Sequence, residues 1–187
     1  MLYFYGRNFT GGHRFMIRKA EEKDLDAIAL IYDKIISAEE AGKVTIGWQR
    51  GVYPTRDTAK SALSRGDLFV FEKDGAVYAS AVINQIQVPE YVNCPWQYHA
   101  PDNEIMVLHT LTVDPDAGRH GIGRKFVSFY EDFARGHGCR YLRMDTNEKN
   151  TNARSLYSKL GYSEPGKISC VFNGIPGVTL VCLEKKI

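Results

Sequence analysis

Three glycines that follow an apolar, β-branched stretch are the residues of this chain best suited to bind a charged ligand. The stretch ends at Val113, the glycines are Gly118, Gly121 and Gly123, and a helical pattern follows at once. Glycine allows a ligand to approach the backbone closely and permits positive φ. The first amides of a helix lack intrahelical acceptors and favour an anion. The spacing therefore predicts a phosphate-binding turn between a strand and a helix.

The order of these glycines distinguishes between phosphate ligands. Gly-x-x-Gly-x-Gly reverses the dinucleotide fingerprint, and the Gly-Lys-Ser/Thr ending of a P-loop is absent. Asp145 follows the next predicted strand and could mimic the ribose-binding acid of a dinucleotide site. The motif, however, lies two-thirds along the 187 residues, which leaves too little chain for a doubly wound sheet. A dinucleotide site and a structural turn without a ligand are the minor alternatives.

Two helices are predicted beside this turn. After it, apolar residues recur at three- and four-residue spacing, at Phe126, Phe129, Tyr130 and Phe133. Further on, Asn150 can cap a helix that Gly161 ends, and its apolar face carries Ala153, Leu156, Tyr157 and Leu160. An ordinary core helix with a buried Tyr157 is the simplest interpretation of this second pattern alone.

The remaining elements follow from periodicity and turn residues. Before the glycine turn we predict a strand from Met16 to Arg18, a helix capped by Asp24, a helix from Thr55 to Gly66, and strands 68–71, 77–83 and 105–113. Asp74-Gly75 predicts a two-residue hairpin. After it we predict strands 141–144, 168–172 and 178–183. Residues 1–15 are interpreted as an N-terminal extension, disordered or non-native, and residues 16–187 as a single domain.

Two segments resemble a known family. Gly121-Ile122-Gly123, after a strand ending in valine, resembles the end of motif A of the Gcn5-related N-acetyltransferases, the GNAT superfamily. The run from Asn150 to Tyr162 resembles the same family's Asn-x-x-Ala-x-x-x-Tyr-x-x-x-Gly-Phe/Tyr pattern. The sequence departs from motif A at Gly118, where the family has Arg or Gln, with Arg119 one place later. The chain is identified as a GNAT member of the bacterial small-amine type.

The resemblance implies a fold and a cofactor site. The fold is α/β (α+β), a central mixed and mostly antiparallel sheet of six to seven strands with about four helices, splayed between the fourth and fifth strands. Acetyl-CoA is the implied cosubstrate; its pantetheine arm pairs with the fourth strand and its pyrophosphate lies on the glycine turn. The implied contacts are Leu111, Thr112, Val113, Gly118, Arg119, His120, Gly121, Ile122, Gly123, Arg124, Asn150 and Tyr157.

Three residues are candidates for the chemistry. Tyr157 matches the family tyrosine that acts as general acid toward the CoA sulfur. Strand alternation places His109 on the face of Leu111, and a near-neutral pKa suits a general base. A histidine held only by structural hydrogen bonds is the alternative. Glu104 is the second candidate base, although a solvated strand end explains it more simply.

The acceptor site is expected in the loops after the first helix and after Ile83. These loops contain the aromatic residues Trp48, Tyr53, Tyr91 and Trp96, with Glu39 and Glu40 upstream. Aromatic rings and carboxylates suit a cationic amine with an apolar body. Core or lid residues without a binding role are the equal alternative.

Composition limits the remaining possibilities. Hydrophobic residues make up 44% and charged residues 25%, and the net charge of +2 gives no sign of a nucleic-acid partner. The four cysteines show no metal-binding spacing, so no metal is expected and a reducing, cytoplasmic location fits. No apolar run is long enough to span a membrane. We expect a monomer or homodimer.

The sequence thus predicts an acetyl-CoA-dependent N-acetyltransferase. It would act on the primary amine of a small molecule by direct attack through a tetrahedral intermediate, because no cysteine occupies a motif position. Two alternatives remain: a non-catalytic acyl-CoA-binding or sensor domain, and an acetyltransferase that acts on protein N-termini or lysines.

Overall fold

A single seven-stranded sheet organises the residues that the computed structural model describes, 15–118 and 120–187. The strands are β1 (Phe15–Lys19), β2 (Leu68–Lys73), β3 (Ala76–Asn84), β4 (Ile105–Val113), β5 (Tyr141–Asn147), β6 (Ser163–Phe172) and β7 (Ile175–Lys186). The helices are α1 (Leu25–Glu40), α2 (Arg56–Arg65), α3 (Ile122–Gly136) and α4 (Thr151–Lys159). The strand order is β1-β2-β3-β4-β5-β7-β6, and only β4 and β5 pair in parallel. The predicted fold class and element order are confirmed.

Helices cover both faces of this sheet because each helix has one apolar side. On one face, Phe126 and Tyr130 of α3 join a core that includes Tyr157 of α4. On the other face, α1 and α2 pack through residues such as Leu25 and Ala59. None of the helices within the described residues combines the length and apolar character needed to cross a bilayer.

The parallel strands β4 and β5 separate part-way along their length. Their pairing runs from Ile105 opposite Tyr141 to Leu108 opposite Met144. Beyond that point β4 continues to Val113 and β5 to Asn147 without pairing with each other. The splay predicted between the fourth and fifth strands is therefore present, and it opens a cleft in the sheet.

A β-bulge in β4 changes which side chains face the cleft. Val82 of β3 pairs with His109, but Ser80 pairs with Thr112, so two residues of β4 stand opposite Ala81. Thr110 takes a φ of 51°, a left-handed conformation unusual for a β-branched residue. The extra residue reverses the alternation of side chains beyond it.

The bulge corrects one prediction. Before it, Ile105 and Val107 pack on the side of Tyr91 and Trp96. After it, Leu111 and Val113 pack on the α3 side. His109 and Leu111 therefore lie on opposite faces of the sheet, and the alternation that placed them together was wrong.

Local chemistry explains both ends of α2, but not the start of α1. Thr55 caps α2 by accepting from Thr58 N, and Gly66 ends it with a φ of 76°. Asp24 was predicted to cap α1, but its carboxylate instead accepts from Glu21 N and from Nη1 and Nη2 of Arg18, the latter two at 2.6 and 2.9 Å. Asp24 is thus engaged by a buried ion pair, and α1 is entered through a 3-10 turn, Glu22–Asp24.

The closing strands are longer than predicted. β6 and β7 pair from Ser163–Glu184 to Phe172–Ile175, around a two-residue turn at Asn173-Gly174. Their φ values of 51° and 81° suit the asparagine–glycine pair, the same geometry as the predicted Asp74-Gly75 hairpin. Phe15 is the first residue of β1 and stacks on Phe71; residues 1–14 of the expected extension lie outside the described residues.

Gly166 of β6 provides a test of this packing. A Cβ at this position would lie 2.6 Å from Cδ and 2.8 Å from Cγ of the Pro95 ring, which is rigid. We expect Gly166→Ala to lower the free energy of unfolding by about 1–3 kcal/mol. Gly136, the last residue of α3, is the matched control because an added Cβ meets nothing within 4 Å. Urea denaturation should show Gly136→Ala unchanged or stabilised; equal effects of both substitutions would contradict the packing argument.

Candidate active site

A cavity of about 640 Å³ lies where β4 and β5 separate. Its wall combines the bulged half of β4, the end of β5, the start of α4, the loop between α1 and α2, and the β6–β7 hairpin. Of the predicted site residues, it brings together Trp48, Tyr53, His109, Leu111, Thr112, Val113, Gly118, Asn150 and Tyr157. The cavity thus joins the expected cofactor strand to the expected acceptor loop.

The glycine turn adjoins one end of this cavity. Gly118 and Gly121 both have a φ of 68°, and α3 begins at Ile122. Lys125 N bonds to Gly121 O, so the amides of the three preceding residues have no acceptor within the helix. A Cβ on Gly123 would lie 3.4 Å from Leu156 Cδ2, so α3 packs against α4 at this glycine.

The other predicted cofactor residues differ in what they expose. His120, Gly121 and Arg124 are exposed and lie outside the cavity wall, whereas the side chain of Ile122 is buried in the core and leaves only its backbone for a ligand. Thr112 is buried and bonds Ser80 Oγ at 2.8 Å. Arg119 lies outside the described residues.

Helix α4 presents Asn150 and Tyr157 to the cavity. Asn150 Oδ1 accepts from Ala153 N at 3.2 Å, which confirms the predicted helix cap. The Tyr157 ring is buried and meets the Tyr162 ring edge-on at 5.9 Å. Burial raises the pKa of the Tyr157 hydroxyl, so that the group keeps its proton at neutral pH.

His109 lines the cavity, but its ring is engaged elsewhere. Its Nε2 lies 3.1 Å from Asn84 Oδ1, and Asn84 Nδ2 donates to Asp67 at 2.8 Å. Burial lowers the pKa of His109 to about 4. The imidazole is therefore neutral at physiological pH, and so low a pKa makes it a weak proton acceptor.

Two predicted site residues do not reach the cavity. Glu104 lies in a 3-10 turn before β4, at the end of the strand away from the splay. Tyr91 is buried against Trp96, with ring centroids 5.1 Å apart, and its hydroxyl donates to Asp145 Oδ2 at 2.7 Å. Tyr91 therefore contacts the cavity only through Asp145, which does line it.

Asp145 is the functional candidate that the sequence prediction of site residues missed. It follows Met144, the last residue of β5 that pairs with β4, so its carboxylate lies at the opening between these two strands. Burial raises its pKa to about 6 even though the Tyr91 hydrogen bond opposes the shift. Its position just past the predicted strand 141–144, where open sheets commonly bind ligands, was the signal available in the sequence.

Two of the aromatic residues predicted for the acceptor loops, Trp48 and Tyr53, line the cavity. Trp48 meets Tyr53 edge-on at 6.1 Å, and the Tyr53 hydroxyl bonds Thr110 at the bulge. Glu39 and Glu40, expected to face a cation, are otherwise engaged: Glu39 accepts from the backbone of Ile46 and Gly47, and Glu40 pairs with Arg50. Among the described residues no cluster of histidine, cysteine and carboxylate side chains is placed to hold a metal ion.

Comparison with known sequences decides the family. The model of the acetyltransferase (GNAT) family matches residues 34–162, well over half of the chain. The chain belongs to the GNAT family. The match includes the splay, the glycine turn of this GNAT protein and the tyrosine of α4.

Individual relatives agree with this assignment. The uncharacterized N-acetyltransferase YhfO of Bacillus subtilis is 38% identical over 60 residues, 32% of this chain and 40% of that protein. The chain spans half or less of the length of the curated relatives that it matches.

Solved structures show the same fold. A GNAT-family acetyltransferase from Streptococcus agalactiae superposes with a TM-score of 0.78 over 100% of this chain and 99% of its own, at 23% identity. The yncA protein of Salmonella typhimurium, solved with its cofactor acetyl-CoA, gives a TM-score of 0.66 over 92% and 93%, at 18% identity.

Proposed function

We propose that this GNAT protein transfers the acetyl group of acetyl-CoA to the primary amine of a small molecule. The observation that supports this most directly is the splay: an unpaired edge of β4 lines a cavity that ends beside the glycine turn and the start of α3. An extended ligand with a phosphate end fits this arrangement, because a free strand edge offers hydrogen bonds and helix amides favour the anion.

The cavity and the adjoining glycine turn suit two different parts of the cosubstrate. Leu111 and Val113 on β4 would flank its pantetheine arm, and the backbone from Gly118 to Arg124 would hold its phosphates. Acetyl-CoA supplies the acetyl group as a thioester. Backbone N–H near Leu111 would stabilise the oxyanion, and Tyr157, which keeps its proton, would protonate the departing sulfur.

Direct transfer to the amine is favoured over a covalent acetyl-enzyme. Among the described residues no cysteine lines the cavity: Cys94, Cys139 and Cys182 are buried in the core, and Cys170 belongs to β6 outside the wall. Burial also raises the pKa of each of these thiols, which disfavours the nucleophilic thiolate.

Thermal unfolding with acetyl-CoA, free CoA and NADH tests the cofactor. A ligand at about one hundred times its Kd adds roughly 2.7 kcal/mol, which for a domain of this size raises Tm by about 5–10 °C. We expect this shift with both CoA species and none with NADH. A shift with NADH alone would indicate a dinucleotide site, and stabilisation by acetyl-CoA without thiol release from any amine would indicate a binding or sensor domain.

A further inference from the structure

Among the described residues, no cation balances one of the two carboxylates in the cavity wall. Asp114 and Asp145 are the two carboxylates in its wall. Asp114 accepts from Lys34 Nζ at 2.9 and 3.0 Å, so its charge is neutralised within the fold. Asp145 has only the Tyr91 hydroxyl as a hydrogen-bond partner among the described residues, and no lysine or arginine described there lines the cavity.

Asp145 interacts with ionisable groups from several parts of the fold. The ionisable groups that it interacts with are Tyr53, Glu90, Tyr91, Tyr157, Cys170 and Cys182. Tyrosine, cysteine and glutamate side chains are either neutral or negatively charged, so none of these groups can balance the negative charge of the Asp145 carboxylate. A half-buried, unpaired carboxylate is costly unless a positive partner binds, and the most direct partner is a ligand cation.

We propose, on the basis of the acetyltransferase function above, that Asp145, positioned by Tyr91, binds the ammonium group of a monocationic acceptor amine and accepts one of its protons. In this step one N–H bond of the ammonium breaks and one O–H bond forms on Asp145. The electron pair stays on nitrogen, which becomes the neutral nucleophile. The proton then passes from Asp145 to solvent.

The location of Asp145 suits both parts of this role. It stands at the splay, in the same cavity as Leu111 and Tyr157, where the amine must meet the thioester. The hydrogen bond from Tyr91, itself fixed against Trp96, leaves the second carboxylate oxygen for the amine. A pKa of about 6 makes Asp145 ionised at pH 7.5 yet basic enough to accept a proton.

The same wall indicates the kind of acceptor. Aromatic and aliphatic side chains such as Trp48, Phe172, Ile175 and Leu180 line the space beside Asp145. An α-amino acid would bring a second charge, its own carboxylate, for which the described wall has no cation. We therefore expect an amine with an apolar body to be preferred over the amino acid of the same shape.

Paired substrates and variants test the proposal in the full-length protein. Phenethylamine and phenylalanine serve as probes that differ only in the carboxylate, with thiol release and calorimetric binding as readouts. Wild-type protein should bind and acetylate phenethylamine with at least tenfold higher kcat/KM than phenylalanine. Asp145→Asn should lower kcat/KM for phenethylamine by about 10²-fold or more while the Kd for acetyl-CoA changes less than threefold. Asp132→Asn, an exposed carboxylate on α3 paired with Arg135, is the control for loss of one charge.

The pH dependence distinguishes a proton acceptor from a structural residue. The acidic limb of kcat/KM should lie near pH 6 in the wild type and disappear in Asp145→Asn. Tyr91→Phe should move the limb to higher pH, because the lost hydrogen bond stabilises the carboxylate. If the acidic limb is lost in His109→Gln and retained in Asp145→Asn, His109 is the base and the proposal is overturned. The proposal is also overturned if the wild-type protein binds acetyl-CoA but neither binds nor acetylates phenethylamine. Failure to bind acetyl-CoA would instead refute the proposed function itself.

Discussion

Tyr157→Phe is expected to lower kcat by about 10²–10⁴-fold, because the substitution removes the hydroxyl proposed to protonate the leaving sulfur. Its ring should keep its place, since the buried contact with Tyr162 involves the ring and not the hydroxyl. The Kd for acetyl-CoA should therefore change less than threefold. Steady-state thiol release combined with calorimetric titration of acetyl-CoA measures both quantities.

Tyr162→Phe is the matched control for this experiment. Tyr162 is the neighbouring buried tyrosine, its hydroxyl donates to Glu131 at 3.2 Å, and it lies outside the cavity wall. We expect it to retain wild-type turnover. If Tyr157→Phe loses acetyl-CoA affinity but keeps its turnover per bound cosubstrate, Tyr157 is a binding residue and not the acid.

Asp145→Asn is expected to stabilise the fold at pH 7.5, by on the order of 2–3 kcal/mol. The pKa of Asp145 is raised from 3.8 to about 6, so between these values the folded protein binds a proton that the unfolded chain has lost. The contribution of Asp145 to the free energy of unfolding is therefore complete below pH 3.8 and is lost as the pH rises through about 6. Asparagine removes the buried charge and can still accept from Tyr91 through its amide oxygen.

Urea denaturation of both proteins at pH 7.5 and pH 4 measures this effect. The stability difference should be largest at pH 7.5 and shrink toward pH 4, where most of the Asp145 carboxyl is protonated in the folded protein. His109 has the opposite dependence: its pKa is lowered to about 4, so its contribution is complete above about 6.5 and is lost as the pH falls. The two proteins share His109, so the difference between them isolates Asp145. A difference that does not vary with pH would mean that Asp145 is not titrating in this range.

The sequence by itself determined the features that depend on short-range chemistry. The glycine turn, the Asn150 cap and the Asp74-Gly75 hairpin all depend on residues within a few positions of each other, and each is found where it was predicted. The order of helices and strands followed from periodicity, and with the two family motifs it was sufficient to predict the topology.

Only the tertiary structure decided which side chains meet in the cavity. Side chains along β4 alternate between the two faces as expected up to the bulge at Thr110, which nothing in the sequence marks. Because of this bulge, His109 faces away from Leu111. Tyr91 was expected to touch the acceptor, but its ring is buried against Trp96 and its hydroxyl reaches Asp145 across 54 positions. Asp145 faces the cavity because β4 and β5 stop pairing just before it. Where two strands stop pairing depends on both strands together and cannot be inferred from the sequence of either one.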